Sequence, residues 1–127
     1  ATHYDTTFVD IEDLDFSNND FAYLRGVISG IDKKKIGDYG KPPSYSKWEM
    51  GQRYALVDLK DATGHIRIKF NPDQYQEYKT QLKIGQKILV HSRIKRDIKL
   101  LFLDFMITLS EEKIEKHKEE YGEAQDG

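Results

Sequence analysis

Between residues 54 and 70 apolar and charged positions alternate with little interruption. In YALVDLK (54–60) Ala55, Val57 and Leu59 share one face, and Tyr54, Leu56, Asp58 and Lys60 share the other. DATG (61–64) supplies a turn, after which Ile66, Ile68 and Phe70 oppose His65, Arg67 and Lys69. A period of two over this length predicts a β-hairpin with one oily face and one basic face. The same period returns in KILVHSRIKR (87–96), where Ile88, Val90, Ser92 and Ile94 oppose Leu89, His91, Arg93 and Lys95. FAYLRGVIS (21–29) is rich in aromatic and branched residues and reads as the first strand. Gly26 within it predicts tight curvature, at a point where a side chain would crowd the sheet.

The connecting segments are equally informative. Residues 30–53 hold four of the nine glycines, two of the three prolines and the single tryptophan, which predicts a long loop or splayed hairpin rather than a helix or central strand. Pro72 and Asp73 suit a helix start, and Tyr75, Tyr78 and Leu82 recur at helical spacing, so a short helix is expected over 72–82, with Gly85 as the stop that follows. Asp97 and Ile98 make a turn before KLLFLDFMITL (99–109), whose continuous apolar character predicts a strand covered on both sides, with Phe102 and Phe105 joining Phe70 in the core. Residues 110–121 fit a C-terminal helix capped by Ser110. Residues 1–20 read as a flexible arm or an extra strand.

Charge changes the picture once it is divided by segment. The whole chain of 127 residues has a formal net charge of -2, with 33% charged, 38% hydrophobic and 12% aromatic residues. Residues 1–20 hold six acids and no Lys or Arg; residues 21–110 hold 17 Lys or Arg against nine acids; residues 111–127 hold three Lys against seven acids. A basic middle therefore lies between acidic ends, as expected of a domain that meets a polyanion while its ends are peripheral or compete with the ligand. The expected organisation is an acidic arm (1–20), one folded domain (21–109) with the long loop 30–53, and a charged helix or tail (110–127). Zero cysteines remove disulfides, thiolate metal sites and cysteine nucleophiles. No apolar run approaches the roughly 20 residues of a membrane span, so a soluble intracellular protein of the cytoplasm, nucleoid or nucleus is expected, with no membrane contact.

Five strands in the order β, long loop, β, β, α, β, β predict an all-β fold, a five-stranded Greek-key barrel with a helix between strands three and four. This is the oligonucleotide/oligosaccharide-binding (OB) architecture. Its ligand lies across strands two and three, flanked by the loops between strands one and two and between strands four and five. LRGVISG, YALVDLKDATGHIRIKF, the Pro72 to Tyr75 helix start, YKTQLKIGQKILVHSRIKR and LLFLDFMI together resemble the OB domain of the bacterial DNA polymerase III alpha subunit. More broadly they resemble the anticodon-binding OB modules of aminoacyl-tRNA synthetases. The resemblance implies single-stranded template binding without catalysis, at Arg67 and Lys69 of the third strand and Arg93 of the fourth.

A single strand of nucleic acid asks for a basic groove and for rings on which bases stack. The candidate charges are Arg25, Lys60, Arg67, Lys69, Arg93, Lys95 and Lys99, with Lys33, Lys34, Lys35, Lys41 and Lys47 making the long loop positive. Tyr39, Tyr45, Trp48 and Tyr54 are the candidate stacking groups. Trp48 fits three roles: a lid tucking the loop onto the barrel, a stacking platform, or an anchor for a protein partner. Catalysis finds little support. His117 lacks a second histidine four residues away, and Asp58, Asp61, Asp97 and Asp104 are scattered. The expected function is non-catalytic binding of single-stranded nucleic acid, DNA ahead of RNA, in replication, recombination or repair, with no cofactor or metal. The alternative is an OB-fold adaptor that binds replication or repair proteins.

Overall fold

The structure, a computed structural model, describes residues 8–17 and 20–109. The helix expected over 110–121 lies outside the described residues. Five strands, β1 (Asp20–Lys35), β2 (Arg53–Lys60), β3 (His65–Phe70), β4 (Lys87–Ile94) and β5 (Leu101–Thr108), close into a barrel in the order β1-β2-β3-β5-β4. Helix α1 (Pro72–Tyr78) joins β3 to β4 and runs on into a single 3-10 turn, Lys79–Gln81. The expected OB architecture is the one observed.

Alternation explains why these segments close. Ala55, Val57, Leu59, Ile66, Ile68 and Phe70 from the hairpin meet Ala22, Leu24 and Ile28 of β1, Ile88, Val90 and Ile94 of β4, and Leu101, Leu103 and Met106 of β5 in one buried core. Each strand thereby removes one face from water, and closure leaves no long edge unpaired. The β3 to β5 contact is the exception to the antiparallel pattern: the two strands run parallel and share only the register pairs Ile68 with Leu101 and Lys69 with Phe102.

Strand β1 is longer than expected. It does not end at Ser29 but bends there, through a register shift between Ile28 and Gly30, and continues to Lys35. Its first half pairs with β4 and its second with β2, so one strand closes both sides of the barrel. The connection to β2 accordingly spans 36–52 rather than 30–53. Strand β5 also departs from expectation. Leu101, Leu103 and Met106 are buried, whereas Phe102, Asp104, Phe105 and Ile107 point outward. The change of phase comes from Asp104, the extra residue where His91 pairs with Phe105 and Ser92 with Leu103.

The two ends of the barrel are stoppered differently. At the Phe70 end, Asn71 caps α1: its side chain accepts from the Gln74 N–H at 2.9 Å, and the Gln74 side chain accepts in return from the Asn71 N–H at 3.0 Å. Such a cap contributes about 1 kcal/mol. Gln74 also donates to the Leu103 carbonyl at 2.6 Å, and Tyr75 and Leu82 are buried beneath the barrel.

At the hairpin end the acidic arm packs down. Phe8 bridges Tyr23, and Ile11 is buried in the core cluster. The Ile11 N–H donates to Asp61 Oδ2 at 2.9 Å, and the Glu12 N–H donates to Thr63 Oγ1 at 3.2 Å. Burial disfavours the Asp61 charge, but hydrogen bonds from the Thr63 hydroxyl and from the Ile11, Thr63 and Gly64 N–H groups outweigh it and hold the carboxyl below its usual pKa. A depressed folded-state pKa gives stability that is present above the unfolded value and lost as pH falls through the folded one. Urea unfolding of wild type and Asp61→Asn is therefore expected to show a stability gap at neutral pH that narrows as pH drops below about 4. A gap independent of pH would refute the assignment.

Candidate nucleic-acid interface

The strand register gathers outward side chains from every strand into one row. Leu56 of β2 lies opposite Lys69 of β3, Lys69 opposite Phe102 of β5, Phe102 opposite Arg93 of β4, and Arg93 opposite Phe21 of β1. Two cations also approach the Phe102 ring, both from the end of β4. The Arg93 guanidinium carbon is 5.9 Å from the ring centroid and Lys95 Nζ is 4.6 Å from it. Trp48, carried by the 36–52 loop, lines a cleft of about 230 Å³ with Lys69, Asn71, Gln74, Arg93, Phe102 and Leu103. A second cleft of about 430 Å³ continues over Arg93, Ile94, Lys95, Arg96 and Ile98.

The other candidates distribute unevenly around this row. Tyr54 points away from the core yet is only 8% exposed, with Lys69 Nζ 5.1 Å from its ring centroid; burial raises its hydroxyl pKa. Lys47 stands 4.4 Å from the Trp48 ring and 3.7 Å from Asp73. Lys33, Lys34 and Lys35 belong to the end of β1, opposite Ala55, Tyr54 and Arg53. Hydrogen bonds to Tyr39 and Asp32 raise the pKa of Lys34. Tyr39 and Tyr45 are 76% and 90% exposed on the loop. Lys99 is exposed in the connection between β4 and β5.

Three of the expected charges stand apart from the row or are already engaged. Arg67 donates to Asp58 through Nε at 2.9 Å and Nη2 at 3.4 Å, and its Nη1 lies 3.8 Å from Asp32. These carboxylates raise its pKa and neutralise the charge it would offer a phosphate. Arg25 lies 4.8 Å over the Phe8 ring of the arm, and burial lowers its pKa against the opposing pull of Asp10. Lys60 ends β2 beside the 61–64 turn, opposite Val27 and His65.

The residues that sequence reasoning missed are Phe102 and Phe21. Phe102 was expected in the core, but it shares strand parity with Asp104, and that polar neighbour was the available signal for the outward face. Phe105 is likewise outward, 5.2 Å from the His91 ring. Among the described residues, Asp10, Glu12 and Asp13 form a group of three clustered acids, all exposed on the arm and outside the row.

A closed five-stranded barrel with one helix between β3 and β4 and a basic, aromatic outer row defines the OB class of binding module. A family model described as OB-fold nucleic acid binding domain, the tRNA anti-codon family, matches residues 23–116, and the chain belongs to that family. The match supports this broad family and does not single out the polymerase III alpha subunit. A crystal structure of yeast Stn1 and Ten1 is similar, with 12% identity and a TM-score of 0.56 over 80% of this chain and 49% of that one. A crystal structure of the S. pombe Stn1-Ten1 complex is similar with 14% identity and a TM-score of 0.51, over 84% of this chain and 76% of that one. The chain spans about half the length of the first of these, and at such identities the likeness is one of fold. No curated protein matches the chain. No helix among the described residues is long and apolar enough to cross a membrane.

Proposed function

We propose that the protein binds single-stranded nucleic acid, DNA in the first instance, along the row from Lys69 across Phe102 to Arg93, with Trp48 closing over the bound strand. The observation that carries this reading is the placement of Phe102 between cations of two neighbouring strands, with the sole tryptophan in the same cleft. A ring flanked by cations offers a base a stacking surface and the adjoining phosphates a counter-charge. Lys33, Lys34, Lys35, Lys47 and Lys99 lie outside the row itself and serve long-range attraction more than specific contact.

The test is fluorescence anisotropy with poly-pyrimidine single-stranded DNA, matching RNA and duplex DNA at two salt concentrations. Each phosphate contact to a single strand adds about 0.7 to the slope of log affinity against log salt. Arg93→Ala is expected to lower that slope by about this amount. Arg67→Ala is expected to change it less, because Asp58 and Asp32 already hold its charge. Failure to bind any single strand at low salt, or equal affinity for duplex, would overturn the reading.

A second reading, an adaptor in a multiprotein replication or repair complex, is favoured by one observation: the S. pombe structure that resembles this chain is described as a complex of two proteins. Salt-insensitive co-elution with a protein partner, without oligonucleotide affinity, would put this reading first.

A further inference from the structure

The row does not stop at Arg93. Its next member, Phe21, is the second residue of β1 and is 51% exposed although it is among the largest apolar side chains of the protein. Phe21 stacks on His91 with ring centroids 5.0 Å apart and planes 11° from parallel. His91 is itself wedged between Tyr23, at 4.4 Å, and Phe105, at 5.2 Å, and its Nδ1 lies 2.7 Å from Asp104 Oδ2. The Phe21 ring is therefore backed by a fixed aromatic stack while much of it stays open to solvent. A cleft of about 240 Å³ separates it from Phe102, lined by Phe21, Arg93, Phe102, Leu103 and Asp104.

Two strand spacings, roughly 10 Å, lie between the backbones that carry Phe21 and Phe102, with Arg93 midway. Two rings separated by one guanidinium suit two neighbouring bases with the phosphate between them. Asp104 adds a chemical preference. Its side chain is 51% exposed, and only Oδ2 is engaged by His91. A carboxylate repels phosphate and accepts hydrogen bonds from the amino group of cytosine or adenine, whereas thymine and uracil present a carbonyl at the same position.

The geometry points to a second base-binding subsite at Phe21, beyond Arg93, which stacks an amino-bearing base and reads it through Asp104. The bound strand then wraps from the β3 and β5 face round to β1 instead of ending at β5. This inference rests on the proposed single-strand reading, and it adds a sequence preference at one nucleotide.

Trp48, as the sole tryptophan, reports the first platform independently of the second. The experiment titrates the full chain with oligo-dT and with the same oligomer bearing a single dC at each position in turn, following Trp48 emission and anisotropy. One dC position is expected to raise affinity about tenfold. Phe21→Ala is expected to abolish that gain and to weaken oligo-dT as well, since a ring stacks any base, whereas Asp104→Asn is expected to abolish the gain by removing the carboxylate; in both variants saturating oligo-dT still quenches Trp48 on the first platform. Retention of the gain in Phe21→Ala, or absence of any favoured dC position, would overturn the subsite and leave the single-strand reading intact. Absence of Trp48 quenching and of binding by every oligomer would overturn both. Circular dichroism confirms that each variant is folded before its result is read.

Discussion

Phe102→Ala is expected to weaken binding of short single-stranded oligonucleotides by about 5- to 150-fold at low salt, the equivalent of one lost base stack worth about 1 to 3 kcal/mol. The effect is large because Phe102 is the centre of the row: Lys69 and Arg93 stand opposite it on the two adjoining strands, and Lys95 lies over its ring. Since the side chain is only half-buried, the fold should tolerate its removal, and a urea midpoint close to that of wild type is the accompanying control. Phe102→Leu retains apolar bulk but no ring face, and is expected to bind nearly as poorly as the alanine variant. Unchanged affinity in both variants would remove Phe102 from the interface.

The largest effect on stability is expected at Gly26. A Cβ at this position would stand 2.3 Å from the Lys60 carbonyl oxygen and 3.1 Å from Leu59 Cδ1. The close atom is backbone, and β1 is held here by pairing with Ile88 of β4, so neither strand has room to retreat. Gly26→Ala should cost about 3 kcal/mol or more, at the upper end of overpacking penalties. Gly64→Ala is the matched control, since its Cβ would meet only Ile11 Cγ2 at 3.6 Å, an ordinary contact. Chemical denaturation of both variants tests the contrast; equal midpoints would show that the barrel yields at Gly26.

The hairpin and Gly26 were legible in the sequence because their physical cause is local. Strict alternation fixes which face of β2 and β3 is buried, and a glycine in an aromatic, branched strand marks a close approach. The continuation of β1 through Gly30 to Lys35 was hidden for a different reason. Glycine and three successive lysines end a strand on local preference, yet here the bend at Ser29 lets that charged segment pair with β2. Long-range pairing overrode propensity. The proposed interface was only partly legible. Lys69 and Arg93 were readable from parity, but Phe102 and Phe21 look like core residues because a stacking surface is built from the same side chains as a core. The engagement of Arg67 by Asp58 required knowing that these residues face each other across the hairpin, which the 61–64 turn implies once its register is fixed.

The parallel junction of β3 with β5 has one further consequence. The barrel is stitched there by two register pairs alone, and one of them, Lys69 with Phe102, belongs to the proposed interface. A strand of nucleic acid laid over both residues spans the line along which the barrel wall is most thinly sewn. Binding should therefore slow hydrogen exchange of the Leu101 to Leu103 amides more than that of β2, which lies between two longer antiparallel ladders. On this view the ligand serves as an extra suture, and the free protein breathes where the bound one is held shut.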